Sequence, residues 1–154
     1  YQKDKNIKGL YLHGSFGAGK SYLIAALFNE LSKLNVKSII VYYPELLRSL
    51  KESFNDDFDD RMYKLKTTEL LLIDDIGAES VSPWSRDEIL GTILQYRMDA
   101  KMPTFFTSNL NKDELISHLA YTKNGVDMVK AKRIIERINQ LTTDMELISE
   151  NRRK

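Results

Sequence analysis

A glycine-rich segment near the start of the chain constrains the fold more than any other stretch. Residues Gly14 to Ser21 read GSFGAGKS, which fits the phosphate-loop pattern of a glycine, four free residues and then Gly-Lys-Ser. Glycines allow the backbone to turn tightly and to aim its N–H groups inward, and a following helix adds the positive end of its dipole. The segment therefore predicts a cradle for nucleotide phosphates between a strand and a helix.

Each residue of this loop is a candidate nucleotide ligand: Gly14, Ser15, Phe16, Gly17, Ala18, Gly19, Lys20 and Ser21. Lys20 can reach the terminal phosphates, and the Ser21 hydroxyl is a hard-oxygen ligand suited to Mg²⁺. We therefore predict that the loop binds ATP and Mg²⁺. The flanking elements are a predicted strand, Gly9–His13, and an amphipathic helix over Tyr22–Leu34. The apolar positions expected to bury one face of that helix are Leu23, Ile24, Leu27, Phe28, Leu31 and Leu34.

A second motif joins an apolar strand to two carboxylates. Glu69 is followed by three leucines and an isoleucine, and then by Asp74 and Asp75, which is the Walker B form. Such an apolar run suits a central parallel strand covered on both faces, and ligands of parallel sheets bind at the carboxyl ends of strands. Asp74 is therefore a candidate Mg²⁺ ligand, directly or through water. Asp75 is a candidate for orienting or deprotonating the attacking water.

Helices and strands alternate along the chain. Ser38–Tyr43 is β-branched and aromatic and ends at Pro44, which predicts a strand buried on both faces. Pro103–Asn109 predicts another strand, and Asn109 is a candidate polar sensor of the γ-phosphate, with a local cap as the alternative. Thr143–Leu147 alternates like an edge strand. This order predicts a three-layer α/β P-loop NTPase fold with a mostly parallel five-stranded sheet.

The segments between these strands have helical or turn signals. A helix from Glu45 places Phe54 in the stripe of its leucines, which favours core packing of Phe54 over stacking on a base. Asn55–Asp60 predicts a solvated acidic turn, because it lacks the glycine and terminal glutamate of a calcium loop. Ser85 and Glu88 are spaced as a capping box at a helix start.

The last predicted helix carries two arginines. Asn111 and Asp127 are candidate N-caps, and Asp127 would begin this helix. Its predicted buried stripe is Ala131, Ile134, Ile135, Ile138 and Leu141. Arg133 and Arg137 lie one turn apart beside that stripe, so we expect both to be exposed. Taken alone, this pattern indicates a solvent-exposed helix face without a functional role.

Composition limits the classes of function. The chain has 154 residues, is 42% hydrophobic and lacks cysteine and any long apolar run, which predicts one domain over residues 1–154, a cytoplasmic location and no membrane partner. Lys and Arg number 23 against 22 Asp and Glu, a formal net charge of +1. Binding to nucleic acid should therefore be local, weak and salt-dependent. Because the chain opens on Tyr1 rather than Met, we expect the C-terminal domain of a longer protein.

With these motifs in place, the sequence resembles the DnaI/DnaC family of replicative helicase loaders, within the AAA+ ATPases. The resemblance runs from about Gly9 to Lys154. The stretches that carry it are Gly14–Ser21, Leu70–Glu79, Phe105–Leu110, Ala131–Ile138 and Asn151–Arg153. The string Asp-Asp-Ile-Gly-Ala-Glu is more similar to DnaI than to DnaC.

The resemblance implies ATP binding and hydrolysis, and delivery of a hexameric replicative helicase to DNA. It implies that Asn109 is sensor one and that Arg137 is an arginine finger, so that copies of the chain associate through the ATP site. It also implies a helicase-binding N-terminal domain that is absent from this sequence. In related loaders the helix before the Walker B strand contacts single-stranded DNA, which points here to Phe54, Arg48 and Lys51.

Two features depart from the family pattern. Many AAA+ members have glutamate where Asp75 stands, which leaves the rate of hydrolysis open. The chain also ends soon after its last predicted strand, with no evident helical lid and only Arg152 and Arg153 as weak sensor-two candidates. The alternatives are an IstB-type transposition helper ATPase, which is similar across the same motifs, and a nucleotide-gated adaptor with negligible hydrolysis. A small-molecule kinase is disfavoured because no second substrate-binding pattern is present.

Overall fold

Strands and helices alternate in the computed structural model, which describes residues 7–15 and 19–148. The strands are β1 (Gly9–His13), β2 (Ser38–Tyr42), β3 (Leu70–Asp74), β4 (Thr104–Ser108), β5 (Tyr121–Thr122), β6 (Gly125–Val126) and β7 (Thr142–Glu146). The helices are α1 (Lys20–Ser32), α2 (Tyr43–Glu52), α3 (Asn55–Thr67), α4 (Gly91–Asp99), α5 (Lys112–Ala120) and α6 (Met128–Leu141). A π-helical segment, Trp84–Leu90, leads directly into α4.

Five strands form a parallel sheet in the order β2-β3-β4-β1-β7. Because successive strand residues point to opposite faces, the interior strands supply two hydrophobic cores. Leu12 and Phe105 pack with Phe28 of α1 on one face. Tyr11 and Phe106 lie in the larger core on the other face, with side chains of α2 to α6. The predicted three-layer α/β architecture with a mostly parallel five-stranded sheet is confirmed.

Two predictions about buried surfaces are wrong in part. β2 lies at the edge of the sheet, so Ile40 and Tyr42 are 49% and 47% exposed instead of buried on both faces. On α1, Ile24 and Phe28 are buried as expected. Of the other predicted positions, Leu23 and Leu27 on α1 and Leu34 beyond its end remain at least 40% exposed. Helical spacing predicted the buried face of α1 correctly but made it too wide.

The segment between β2 and β3 differs most from its prediction. α2 buries its leucines but ends at Glu52, so Phe54 does not continue their stripe. Phe54 is the N-cap of α3 and is 78% exposed, and its predicted core packing is therefore wrong. Asn55–Asp60 forms the first turns of α3 and not a loop. Aspartates at that end of a helix interact favourably with the positive end of its dipole, and Met62 and Leu65 anchor the same helix in the core.

The predicted helix starts are correct in two of three cases. Asn111 and Asp127 each accept a hydrogen bond on the side chain from the backbone N–H three residues further on. The predicted pairing of Ser85 with Glu88 is wrong. Ser82 and Ser85 instead accept hydrogen bonds from each other's backbone N–H groups, both at 3.0 Å. The reciprocal cap therefore lies three residues earlier than expected.

A buried arginine joins α3 to the amino ends of β3 and β4. Arg97 of α4 is 0% exposed. Its guanidinium donates hydrogen bonds to the carbonyl oxygens of Leu65, Lys66, Thr68, Glu69 and Pro103 and to the hydroxyl of Thr104, at 2.7–3.3 Å. Carbonyls in the last turn of a helix lack helical partners, and a cation there also faces the negative end of the dipole. Arg97 therefore fixes where both strands begin.

We expect Arg97→Met to lower the free energy of unfolding by about 3 kcal/mol, because several buried carbonyl groups lose their donor and each costs about 1–3 kcal/mol when unsatisfied. Urea unfolding measures the change. Arg133→Met is the matched control, since Arg133 is exposed, and it should stay within about 0.5 kcal/mol of wild type. Equal stability of the two variants would contradict the role given to Arg97.

Candidate nucleotide-binding site

The carboxyl ends of β1, β3 and β4 meet at one edge of the sheet. β1 leads into Gly14, β3 ends at Asp74 and β4 ends one residue before Asn109. The predicted loop residues that the structure describes are Gly14, Ser15, Gly19, Lys20 and Ser21. The others, Phe16, Gly17 and Ala18, lie outside the described residues, as do Arg152 and Arg153.

Both described ends of the loop favour glycine, Gly14 because of a close backbone contact and Gly19 because of its backbone conformation. The N–H of Gly14 donates to the carbonyl oxygen of Ser108 at 3.2 Å, and a Cβ on Gly14 would lie 2.4 Å from the carbonyl oxygen of Leu147. Gly19 is the N-cap of α1 with φ 85°, in the left-handed region that favours glycine. The contacts of Gly14 fix the start of the loop beside the end of β4, and the loop leads into the amino end of α1.

Lys20 links the loop to the end of β4. The residue is 8% exposed, and its ammonium donates to the carbonyl oxygens of Gly14 and Ser15 at 3.0 Å each and to Oδ1 of Asn109 at 2.9 Å. Burial lowers the pKa of Lys20, and the negative charges of Asp75 and Asp74 oppose that shift. The structure therefore brings together the loop lysine and the predicted sensor.

Two hydroxyl groups donate to the first carboxylate of the Walker B motif. Ser21 Oγ donates to Asp74 Oδ1 at 2.6 Å, and Thr107 Oγ1 donates to the same oxygen at 2.5 Å. Thr107 Oγ1 also accepts a hydrogen bond from the N–H of Asp75 at 2.8 Å. Sequence reasoning did not single out Thr107, although its place near the carboxyl end of a buried strand was a usable signal. A hydroxyl and a carboxylate oxygen thus lie side by side at the start of α1.

Asp75 lies on a strained turn that is bonded to β4. Its φ is 61°, a left-handed conformation that is uncommon outside glycine. The N–H of Ile76 donates to the carbonyl oxygen of Thr107 at 3.0 Å, and the Ser108 hydroxyl donates to the carbonyl oxygen of Ile76. Gly77 has φ 102°, and a Cβ there would lie 2.9 Å from Leu110. The turn is therefore fixed to the strand end that precedes Asn109.

Tyr42, at the end of β2, also belongs to this edge of the sheet. The negative charge of Asp75 raises the pKa of the Tyr42 phenol. Nothing in the sequence pattern indicated this interaction, because it depends on β2 and β3 being neighbours with Tyr42 opposite Asp74.

An ion pair lies behind the Asp75 turn. The side chain of Glu79 is 4% exposed, and its Oε1 accepts a hydrogen bond from the N–H of Gly77 at 2.6 Å. Its Oε2 lies 3.4 Å from Nε2 of His118 on α5, so the contact is an ion pair when His118 is protonated. The nearby Glu79 carboxylate raises the pKa of His118, and burial opposes the shift. Lys51 and Lys123 line the same open depression as His118, of about 850 Å³.

Arg137 contacts α4, and no hydrogen bond joins it to the described residues of the phosphate loop. It is half-buried, and its Nη1 donates to the carbonyl oxygen of Gly91, where the π-helical segment becomes α4, at 3.2 Å. The expected exposure is correct for Arg133 and wrong for Arg137. Both arginines line a shallow depression of about 190 Å³ together with Asp87.

Two features are absent from residues 7–15 and 19–148. No helix in these ranges is both long and apolar enough to cross a membrane. No three His, Cys, Asp or Glu side chains there are grouped so that they could bind a metal ion.

The parallel sheet, the glycine loop after β1 and the carboxylates at the end of β3 define an AAA+ domain with the P-loop NTPase fold. No protein-family model matches the chain. The chain is 47% identical over 155 residues to the replicative helicase loader DnaI of Bacillus subtilis (strain 168). The aligned region covers 99% of this chain and 50% of the relative. It is 29% identical over 115 residues to the replicative helicase loader DnaC of Escherichia coli (strain K12), covering 73% and 46%.

A crystal structure of DnaI matches with a TM-score of 0.83 and 49% identity, over 96% of this chain and 74% of that one. The chain therefore belongs to the DnaI/DnaC family of replicative helicase loaders, which confirms the resemblance seen in its motifs. It spans about half the length of the curated relatives it matches.

We expect His118→Gln to reduce stability in a pH-dependent way. Because the folded-state pKa of His118 is raised above the ordinary 6.5, its protonation stabilises the fold fully below that value. The stabilisation is lost as pH rises through the folded-state pKa. The difference in unfolding free energy between wild type and variant should therefore be larger at about pH 5.5 than at about pH 8.5. Urea unfolding at both pH values measures this difference.

Ser117→Ala, in the same depression, is the control and should show a difference that does not change with pH. If His118→Gln behaves in the same way, the ion pair with Glu79 does not stabilise the fold.

Proposed function

We propose that this chain is the ATP-binding and ATP-hydrolysing domain of a bacterial replicative helicase loader, acting in the initiation of DNA replication. The observation that carries the proposal is the joint contact of Lys20 with Asn109 and of Ser21 with Asp74. Each contact joins a phosphate-loop residue to a residue that follows or ends another strand. Family membership supports the replication setting, because DnaI of Bacillus subtilis is a replicative helicase loader.

The residues at this edge fit ATP together with Mg²⁺. The Lys20 ammonium donates to carbonyl oxygens and an amide oxygen, and it can donate to phosphate oxygens in the same way. Ser21 Oγ and Asp74 Oδ1, 2.6 Å apart, are the hard donors that would hold Mg²⁺. When bound, the ion would neutralise charge on the phosphates. The loop from Gly14 to Gly19 would supply backbone N–H groups to the same phosphates.

Asp75 and Asn109 are the residues we assign to the attacking water. Asp75 orients or deprotonates it, and Asn109 hydrogen-bonds the water or the γ-phosphate. Aspartate is shorter than the glutamate of many AAA+ members, so we expect slow hydrolysis by the isolated chain. The same short side chain favours the second candidate function, a nucleotide-gated adaptor that binds ATP and hydrolyses it negligibly.

Arg137 completes the ATP site of a neighbouring copy, so that copies of the chain associate through that site. To reach a neighbour, its guanidinium must leave the carbonyl oxygen of Gly91. A single hydrogen bond of this kind contributes about 1 kcal/mol. A hydrogen bond from the guanidinium to a phosphoryl group is stronger and can readily replace it.

The partners we propose are a hexameric replicative helicase and single-stranded DNA. The exposed ring of Phe54 is available for stacking on a base, and Arg48 and Lys51 lie on the preceding helix. Lys51 also lies 5.9 Å from the ring centroid of Trp84. The formal charge of +1 makes DNA binding weak and salt-dependent. We further propose that residues 1–154 are one domain of a longer cytoplasmic protein whose N-terminal domain binds the helicase.

Lys20→Ala should abolish useful ATP binding, because it removes the charge that the loop directs at the phosphates.

Asp75→Asn should leave binding within about twofold and slow hydrolysis by about 10²-fold, because the amide keeps the shape but not the base. ATP titration and phosphate release measure the two effects. Lys33→Ala, an exposed lysine at the end of α1, is the control.

Wild-type affinity in Lys20→Ala would overturn the nucleotide site. Unchanged turnover in Asp75→Asn would remove Asp75 from the mechanism, and no measurable turnover in wild type would favour the adaptor.

Arg137→Ala should bind ATP like wild type and lose only the ATPase activity that rises with protein concentration or with helicase. An engaged arginine finger is worth about 10³ to 10⁵ in rate. Mixing Arg137→Ala with Lys20→Ala should restore activity, because the Lys20 variant offers an intact Arg137 to the working site of the other. Full stimulated activity of Arg137→Ala alone would shift the assignment to Arg133.

A further inference from the structure

Glu79 is a buried carboxylate to which the motifs give no role, yet it contacts the turn that carries Asp75. Its Oε1 accepts the N–H of Gly77 at 2.6 Å, and its side chain is 4% exposed. A hydrogen bond from a neutral N–H to a carboxylate is shorter and stronger than one between neutral groups. The contact is therefore one of the stronger restraints on residues 75–79.

The strained conformation of Asp75 makes such restraints necessary. A non-glycine residue in a sparsely populated conformation costs about 1–3 kcal/mol and persists only where surrounding contacts fix it. The N–H groups of Asp75 and Ile76 both donate to Thr107 of β4, and the Ser108 hydroxyl of the same strand donates to the carbonyl oxygen of Ile76. The next residue of the turn, Gly77, donates its N–H to the Glu79 side chain instead, which is not part of β4. Without that bond the turn could relax and move the Asp75 carboxylate.

Glu79 is itself fixed to a rigid element. His118 lies 3.4 Å from its second oxygen, on the helix whose Leu115 and Leu119 are 0% and 1% exposed. The helix is thus anchored in the core, and when His118 is protonated its ion pair with Glu79 extends that anchorage to the carboxylate. The chain of contacts runs from α5 through His118, Glu79 and Gly77 to the Asp75 turn.

We propose that Glu79, anchored by His118, is a positioning residue that keeps the Asp75 carboxylate in the geometry that water attack requires. This inference rests on the proposed ATPase function. Glu79 acts through the backbone of the turn and does not touch the nucleotide. Its loss should therefore change the chemical step and leave ATP binding alone, because Lys20, Ser21 and Asp74 have contacts that do not include Glu79.

The test compares Glu79→Ala with Glu79→Gln in the full chain, at a temperature where every variant is folded. Glu79→Ala should lower kcat about tenfold and keep the Kd for ATP within about twofold, because misplacing a reacting group by a fraction of an ångström slows the reaction. Glu79→Gln should retain kcat within about twofold, since its amide oxygen can still accept the Gly77 N–H. Glu88→Ala, an exposed glutamate on the π-helical segment, is the control.

Wild-type kcat in Glu79→Ala would overturn the inference, because a role confined to stability predicts that result. A loss in Glu79→Gln as large as in Glu79→Ala would also overturn it, since the acceptor oxygen is kept. If Glu79→Ala does not fold, His118→Ala carries the test through its effect on kcat at constant Kd, and unchanged kcat counts against the proposal. Absence of hydrolysis in wild type would overturn the proposed function itself, whereas the other outcomes concern Glu79 alone.

Discussion

The guanidinium of Arg97 fixes the amino ends of β3 and β4, and the site at their carboxyl ends depends on the register that results. In that register Leu71 pairs with Thr104 and Ile73 with Phe106. Thr107 then lies where its hydroxyl can contact both Asp74 and the N–H of Asp75. Because side chains alternate along a strand, a slip of one residue would turn Thr107 to the opposite face.

The site is thus a junction of strand ends and not a property of the loop alone. β1 leads into the phosphate loop, and β3 leads to the two carboxylates. β4 supplies Thr107, which contacts the carboxylate segment, and leads to Asn109, which contacts Lys20 of the loop. Lys20 and Asn109 are 89 residues apart in sequence and 2.9 Å apart in space. This convergence at the carboxyl ends of parallel strands is the arrangement expected for ligand binding in such sheets.

The sequence predicted the local elements of this site and missed the contacts that depend on strand order. The phosphate loop and Asp74 follow from short patterns whose chemistry is local. Tyr42 could not be found, because its approach to Asp75 requires β2 to be the edge strand beside β3. The same edge position explains why the predicted burial of β2 is wrong, since alternation and composition do not reveal which neighbours a strand has.

Glu79 and Phe54 show two other limits. Glu79 lies in a recognised string, but its partner His118 is on a helix that pattern reasoning could not place behind the Asp75 turn. Phe54 continues a helical stripe in the sequence, yet α2 ends before it and a new helix begins. Periodicity reports which face a residue would occupy in a continuous helix, and it does not report where that helix stops.

The contact between Arg137 and Gly91 has a thermodynamic consequence for the proposed assembly. In a separate chain the guanidinium already has a neutral carbonyl partner, so association exchanges one acceptor for another. The interface gains only the difference between the two interactions. An anionic phosphate outcompetes a neutral carbonyl, whereas an uncharged surface does not. Subunits built in this way would join firmly when the neighbour holds a nucleotide and separate readily when it does not.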